Sequence, residues 1–401
     1  MWCYIVAIVL FVLAYNYDFQ ANTKGKHASY WLVCLLLICI AGFRYRLGID
    51  TLSYQATFED NFPSLDQFWN VWRAGQLPYE FGYSLFTSIF KTLFDNWFVL
   101  QFAIALCTNL SFFCFFKKNT IYPFTAVFFY FCIYYFDSNF ETLRQAMSMS
   151  IFLFAFEYLK ERRYVPYYTL CVVALLFHNI AVVFFFIPLM RFKFSYKLVA
   201  VVTLCCLFLS SIVISFFGWI LDIFQTYGTD LMADKANTYI TGDVWGVNEQ
   251  RISALSYKHY IYCLLIYIFP ILCLSFVVEK TGITDKKNYY APFILLWAIA
   301  ISMRSVLPIM YRVQELMLPV IFILFAESVV RTLQSGKFMK TCLISYAIVV
   351  MLFYWNYVRF YQVQEFNHTR PRIVSCTPYS NCFTKEVDTE REFFYREVGA
   401  N

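Results

Sequence analysis

Residues 97–116 read WFVLQFAIALCTNLSFFCFF and are followed at once by Lys117-Lys118. Twenty uncharged residues in a helix span about 30 Å, the thickness of a bilayer's hydrocarbon core. Inside that layer each backbone N–H and C=O must find its partner within the protein, which leaves helices and closed barrels. The apolar residues are continuous rather than alternating, and a barrel strand alternates. The two lysines mark a cytoplasmic end. The stretch therefore sets the class: an all-α, polytopic transmembrane helical bundle.

The same pattern recurs outward in both directions. Runs at 1–17, 29–43, 121–136, 140–159, 196–216, 257–278, 288–308, 311–332 and 338–357 complete a set of about ten full spans. Only 14% of the 401 residues are charged and 60% are apolar. A soluble domain carries about 25% charged residues, so water is excluded as the main solvent. The N-terminus, Met1 to Tyr4, has no basic region ahead of its apolar run and reads as a retained first span rather than a cleaved signal. Residues 81–94 are apolar but short, and residues 164–190 are too long for one span and too short for two.

Basic loops orient the chain. Lys117-Lys118, Lys160 to Arg163, Arg191 to Lys197, Lys286-Lys287 and Lys337 to Lys340 all belong on the cytoplasmic side. Two of them flank 164–190, which is then expected to be a hairpin or re-entrant pair with its tip near His178-Asn179. Residues 81–94 become re-entrant or interfacial. Both termini and the segments 44–80 and 217–256 fall outside. The division is a helical bundle at 1–357 and a polar tail at 358–401, placed outside. The net charge of +6 is scattered over short loops, which argues for membrane orientation and against a nucleic-acid partner. Twelve of fourteen cysteines lie in apolar runs, where a thiol packs as a small hydrophobe. Cys376 and Cys382 lie in the tail, where a disulfide and two separate thiols are both open. There are no CxxC pairs and no DxD-like or EF-hand pattern, so metal-independent chemistry without a cofactor is expected.

Ionisable residues at span borders are costly and usually face a cavity. Here they gather on the outer side: Arg44, Arg46 and Asp50 after the second span, Glu80 before 81–94, Glu141 and Arg144 at the start of 140–159, His178 at the hairpin tip, and Arg304 and Arg312 around a later turn. Each has a plain alternative. Arg44 or Arg312 could snorkel to lipid phosphate, Glu141 and Arg144 could form a local i, i+3 pair, and His178 could cap a helix break. Several arginines on one outer face nonetheless run against the positive-inside rule. Arginine suits bidentate recognition of phosphate, so an anionic, lipid-borne ligand is expected.

The string RYRLGIDTLSY at 44–54 resembles the signature of the EpsG-like exopolysaccharide-biosynthesis membrane proteins, relatives of the Wzy-type O-antigen and capsule polymerases. EFGY at 80–83, LRQA at 143–146, LFHNIA at 176–181, the Arg304 to Arg312 turn and Pro378-Tyr379 add to the likeness, in the same order. Asn179 departs from it, since a small hydroxyl residue is expected after the histidine. The resemblance implies a GT-C-like polymerase architecture in a bacterial cytoplasmic (inner) membrane. It also implies joining of undecaprenyl-diphosphate-linked oligosaccharide repeats at the outer face, beside other polysaccharide-assembly proteins. Arg144 and Arg304 or Arg312 would then bind the diphosphate with Arg44 and Arg46 assisting, and Asp50, Glu80 and His178 are the candidate bases. The alternatives are a flippase for the same lipid-linked glycan, a membrane acyltransferase centred on His178, and a non-catalytic scaffold. A flippase calls for a cationic path through the membrane centre and an acyltransferase for a cytoplasmic acyl-donor route.

Overall fold

A computed structural model describes residues 2–190, 192–208, 219, 261–283, 288–304, 307, 309–353 and 372–397. The expected external segment 217–256 lies outside the described residues except for Trp219. So do the end of the expected 196–216 span, the Lys286-Lys287 loop and residues 358–371. The described residues are helical, and their one β feature is an isolated antiparallel bridge between Arg44 and Asn381.

The helices that matter first are α1 (Trp2–Ala14), α2 (Lys26–Gly42), α3 (Ile49–Asp60), α4 (Leu65–Arg73), α5 (Phe81–Phe94), α6 (Trp97–Asn119), α7 (Pro123–Ile133), α8 (Leu143–Lys160), α9 (Tyr164–Phe177) and α10 (Val182–Phe186). α6 starts where the Asn96 side chain accepts the Phe98 N–H (2.9 Å) and ends on Lys117 and Lys118, which complement its C-terminal dipole. Four of the described helices are long and apolar enough to cross a membrane: Trp2–Phe19, Trp97–Asn119, Ile261–Lys280 and Ile309–Ser335. The expected ten full spans are not confirmed among the described residues. Within the described parts of the runs at 29–43, 121–136, 196–216, 288–308 and 338–357 lie the shorter apolar helices Lys26–Gly42, Pro123–Ile133, Tyr196–Phe208, Asn288–Met303 and Phe338–Leu352. For 121–136 the reason is local. α7 stops at Tyr134, and Asp137–Glu141 wind into one π-helical turn whose polar side chains are buried. Asn139 donates to the Tyr130 hydroxyl (3.0 Å) and to the Tyr135 carbonyl (2.9 Å), while Asn109 donates to Asn139 Oδ1 (2.8 Å). These bonds hold the break together.

Residues 164–190 reverse at His178. α9 ends there, and the Tyr167 hydroxyl donates to the carbonyl of Phe184 in α10 (2.6 Å), so the second arm lies back along the first. Phe184 stacks on Phe152 of α8 at 3.7 Å. α5 packs on the end of α9 through Gly82. A Cβ there would stand 2.9 Å from Leu176 Cβ and 3.0 Å from the Leu176 carbonyl oxygen, a closeness that excludes any side chain. That approach carries Glu80, the residue before α5, toward His178.

Two compact units divide the chain. The first comprises Met1–Pro188 with Leu352–Asn401, and the second Leu189–Met351. In the first, the tail residues 372–397 are an integral part. Tyr45 N–H donates to the Ser380 carbonyl (2.9 Å), Cys382 N–H to that of Phe43 (2.8 Å) and Gly48 N–H to that of Ser375 (3.0 Å). The tail helix Thr389–Glu397 is anchored by buried Arg391, which donates to Val374 O (3.3 Å), to Ser380 Oγ (3.1 Å) and to the Pro378 carbonyl. In the second unit, α11 (Tyr196–Phe208), α12 (Phe269–Lys280), α13 (Ala291–Met303) and α14 (Ile309–Ser335) pack together, and α14 is buried along most of its length.

Candidate functional site around Arg144

The loop between α2 and α3 is built from the inside. Gln101 of α6 donates to the carbonyls of Gly42 (2.8 Å) and Arg44 (2.9 Å). Arg44 is buried, and its guanidinium donates to the carbonyls of Ala41 and Leu47 and to Thr51 Oγ1 (3.0 Å) while lying 5.0 Å from the Phe140 ring centroid. Burial pulls its pKa down to about 10. Gly48 adopts φ +94°, and a Cβ there would collide with the Phe140 carbonyl oxygen, so glycine is required. The Glu141 carboxylate then accepts the backbone N–H groups of Ile49 (3.3 Å) and Asp50 (3.0 Å), a cap on the N-terminus of α3 supplied from the π-helical turn. α3 leaves this cap with Asp50 exposed and Tyr54, one turn on, buried.

Tyr54 reaches Arg144 near the start of α8. Arg144 Nε donates to the Tyr54 hydroxyl (3.1 Å) and Nη1 to Glu80 Oε2 (2.5 Å), and the guanidinium sits 4.6 Å from the Tyr79 ring centroid. A guanidinium held by a carboxylate and laid over an aromatic face is fixed in orientation. Burial acts to raise the Glu80 carboxyl. The charges of Arg144 and His178, its own backbone N–H and the Arg144 hydrogen bond outweigh that and hold it below the ordinary carboxylate range. At His178, the Ile180 N–H donates to Nδ1 (3.2 Å). Nδ1 therefore presents a lone pair, and the proton of a neutral ring sits on Nε2. The protonated ring, whose charge acts on Glu80, cannot accept at Nδ1, so this hydrogen bond belongs to the neutral form.

The sequence candidates thus separate. Arg144, Glu80 and His178 come together, with Asp50 one turn from Tyr54 and close enough for its charge to act on the Tyr54 hydroxyl. Arg44 is enclosed by backbone. Arg46 forms a two-pronged pair with Glu392 of the tail helix, Nε and Nη2 each at 2.7 Å, which pushes its pKa up. Arg304 and Arg312 belong to the second unit. There Arg304 donates to Gln314 Oε1 (2.8 Å) and lies 4.1 Å from the Tyr267 ring centroid, and Arg312 stands 3.8 Å from Glu315. A local Glu141–Arg144 pair was one alternative reading of the sequence; in the structure Glu141 caps α3 and Arg144 is bound to Glu80. Sequence reasoning assigned no role to Tyr54 or Tyr79. The i, i+4 spacing of Asp50 and Tyr54 on a helix was the available signal for the first.

No curated protein and no solved structure matches the chain. The EpsG family model matches residues 27–371, which includes α3 to α14 and every residue of the Arg144 cluster. Together with the four span-length helices, this makes the protein a multi-pass membrane protein of exopolysaccharide biosynthesis, and the chain belongs to the EpsG family.

Proposed function

We propose that the protein is a polysaccharide polymerase that joins oligosaccharide repeats carried on undecaprenyl diphosphate at the outer face of the bacterial cytoplasmic membrane. The observation that carries the reading is the oriented, partly exposed Arg144 guanidinium, with Tyr54, Tyr79, Glu80 and His178 around it. In the reaction the acceptor hydroxyl oxygen bonds to the anomeric carbon of the growing chain, and the anomeric C–O bond to the lipid diphosphate breaks. The hydroxyl proton passes to a base, and the diphosphate leaves with the bonding electrons. Preorganised donors at the developing negative charge lower the barrier. Arg144 and the His178 Nε2–H have that character. Glu80 is tied to Arg144 and orients it. Asp50, an exposed carboxylate on the adjoining turn, is the base this arrangement favours.

The test is purified protein in nanodiscs given lipid-linked repeats and no nucleotide sugar. Polymer is expected from wild type and none from Arg144→Ala, with the single repeat unconsumed. A wild-type chain-length distribution from Arg144→Ala overturns the assignment.

A further inference from the structure

α4 (Leu65–Arg73) presents an unusual surface. Trp69 and Trp72 are 49% and 46% exposed, while Phe68, the residue before Trp69, is fully buried. The two indoles meet edge to face, 5.7 Å apart at 80°. Both touch Phe81, at 6.2 Å from Trp69 and 5.6 Å from Trp72, and Phe68 packs beneath at 5.6 Å from Phe81. Phe81 follows Glu80 in the chain, so the ring cluster starts one residue from the carboxylate that holds Arg144. The helix is pinned to α5, because Leu65 N–H donates to Thr92 Oγ1 (2.8 Å).

We propose that Trp69 and Trp72 form a stacking platform for the pyranose rings of the glycan, continuous with the Arg144 site. The proposal rests on the polymerase reading and names where the saccharide lies. A pyranose offers a C–H-rich face that packs on an indole, and a rim of hydroxyls that needs donors and acceptors. α4 supplies both. At about 100° per residue, Asp66 and Arg73 fall on the flank beside Trp69, with Asn70 next to them, and all three are exposed. An interfacial helix buries a continuous apolar face in the headgroups. Here Leu65 and Val71 are half-buried and Phe68 is wholly buried, so the two indoles are the apolar surface that α4 turns outward. The ring contacts to Phe81 and the bond to Thr92 fix that surface before any ligand arrives, which lowers the entropic cost of binding.

The experiment uses full-length protein in nanodiscs and, as probe, soluble repeat oligosaccharide released from the cells' own exopolysaccharide by partial hydrolysis. Binding is followed by calorimetry, and KM and kcat are measured with lipid-linked repeats. Trp69→Ala and Trp72→Ala are each expected to weaken oligosaccharide binding and raise KM by roughly tenfold, with kcat little changed. Trp69→Phe and Trp72→Phe, which keep a ring, are expected to retain most of the affinity and to exclude misfolding as the cause. Arg144→Ala is expected to bind the oligosaccharide normally while making no polymer, which separates the platform from the catalytic reading. Unchanged binding and KM in both alanine variants overturn the platform even if Arg144→Ala is inactive. Indoles quenched by brominated lipid and untouched by oligosaccharide identify α4 as a membrane anchor and also overturn it.

Discussion

In a Glu80→Gln variant the side chain keeps its volume and one hydrogen bond to Arg144 but loses its charge. Arg144 Nη1 lies 2.5 Å from Glu80 Oε2, and the two side chains are 26% and 12% exposed. Unit charges about 4 Å apart attract by about 4 kcal/mol at an effective dielectric of 20. Fully exposed pairs retain only about 0.2–1 kcal/mol of this after screening and side-chain ordering. Stripping one partner from a fully buried pair costs about 3–5 kcal/mol. The Glu80–Arg144 pair stands between these limits, and the retained amide bond recovers part of the loss. The net effect on the positioning of Arg144 is about 2 kcal/mol, which is roughly thirtyfold in rate. The assay is kcat/KM for polymerisation of lipid-linked repeats by purified protein, measured across pH. A positioning role gives a loss near thirtyfold with the wild-type shape of the pH profile. A general base gives about 10²–10⁴-fold and removes the acid limb of that profile. Loss of the acid limb, or a rate equal to wild type, refutes the assignment of Glu80 as the residue that orients Arg144.

Three further outcomes are expected. Because Glu80 titrates below the ordinary range in the folded protein, its stabilising contribution is complete above the pKa of an unfolded glutamate. It is lost as pH falls through the folded value. Melting temperature should therefore drop more steeply on acidification in wild type than in Glu80→Gln, and parallel curves contradict this. Arg44→Ala leaves the Ala41 and Leu47 carbonyls and Thr51 Oγ1 without that donor in a buried site, at a cost of about 1–3 kcal/mol for each acceptor left unsatisfied. Chemical denaturation in detergent measures it, and a wild-type unfolding midpoint with lost activity would instead make Arg44 a ligand. Arg46→Glu and Glu392→Arg should each expose residues 372–397 to protease, with the double reversal restoring protection. A double variant as labile as the singles argues against their pairing.

Helix content was legible because burial in lipid leaves the backbone no alternative, and α6 matches the run 97–116 with its lysine-marked end. The reversal at His178 was legible too, since 164–190 carried basic loops at both ends and a length that suits one crossing poorly. Span lengths were less so. Composition over 121–159 does not reveal that Asp137–Glu141 make a buried polar turn between α7 and α8. Within the site, the arginines looked alike in sequence because their partners are remote or are backbone. Glu80 lies 64 residues from Arg144, Glu141 caps a helix 91 residues away, and Arg44 turns to carbonyls three residues on either side. A charge pattern marks where cations collect, whereas only the packed fold decides which of them stays available to a ligand.

The clasp between residues 43–48 and the tail also bears on what shapes the site. Arg46 and Glu392 are 346 residues apart, and the acceptors for Tyr45 and Gly48 N–H come from Ser380 and Ser375. Such distant contacts form late, after the intervening loop has been closed. A chain halted ahead of residue 372 contains the same four span-length helices, yet the segment leading into α3 and Tyr54 has no tail to lie against. The loop beside Arg144 is therefore shaped by the far end of the chain as much as by the helices that flank it, and residues 372–397 are scaffolding for the site rather than an appendage to it.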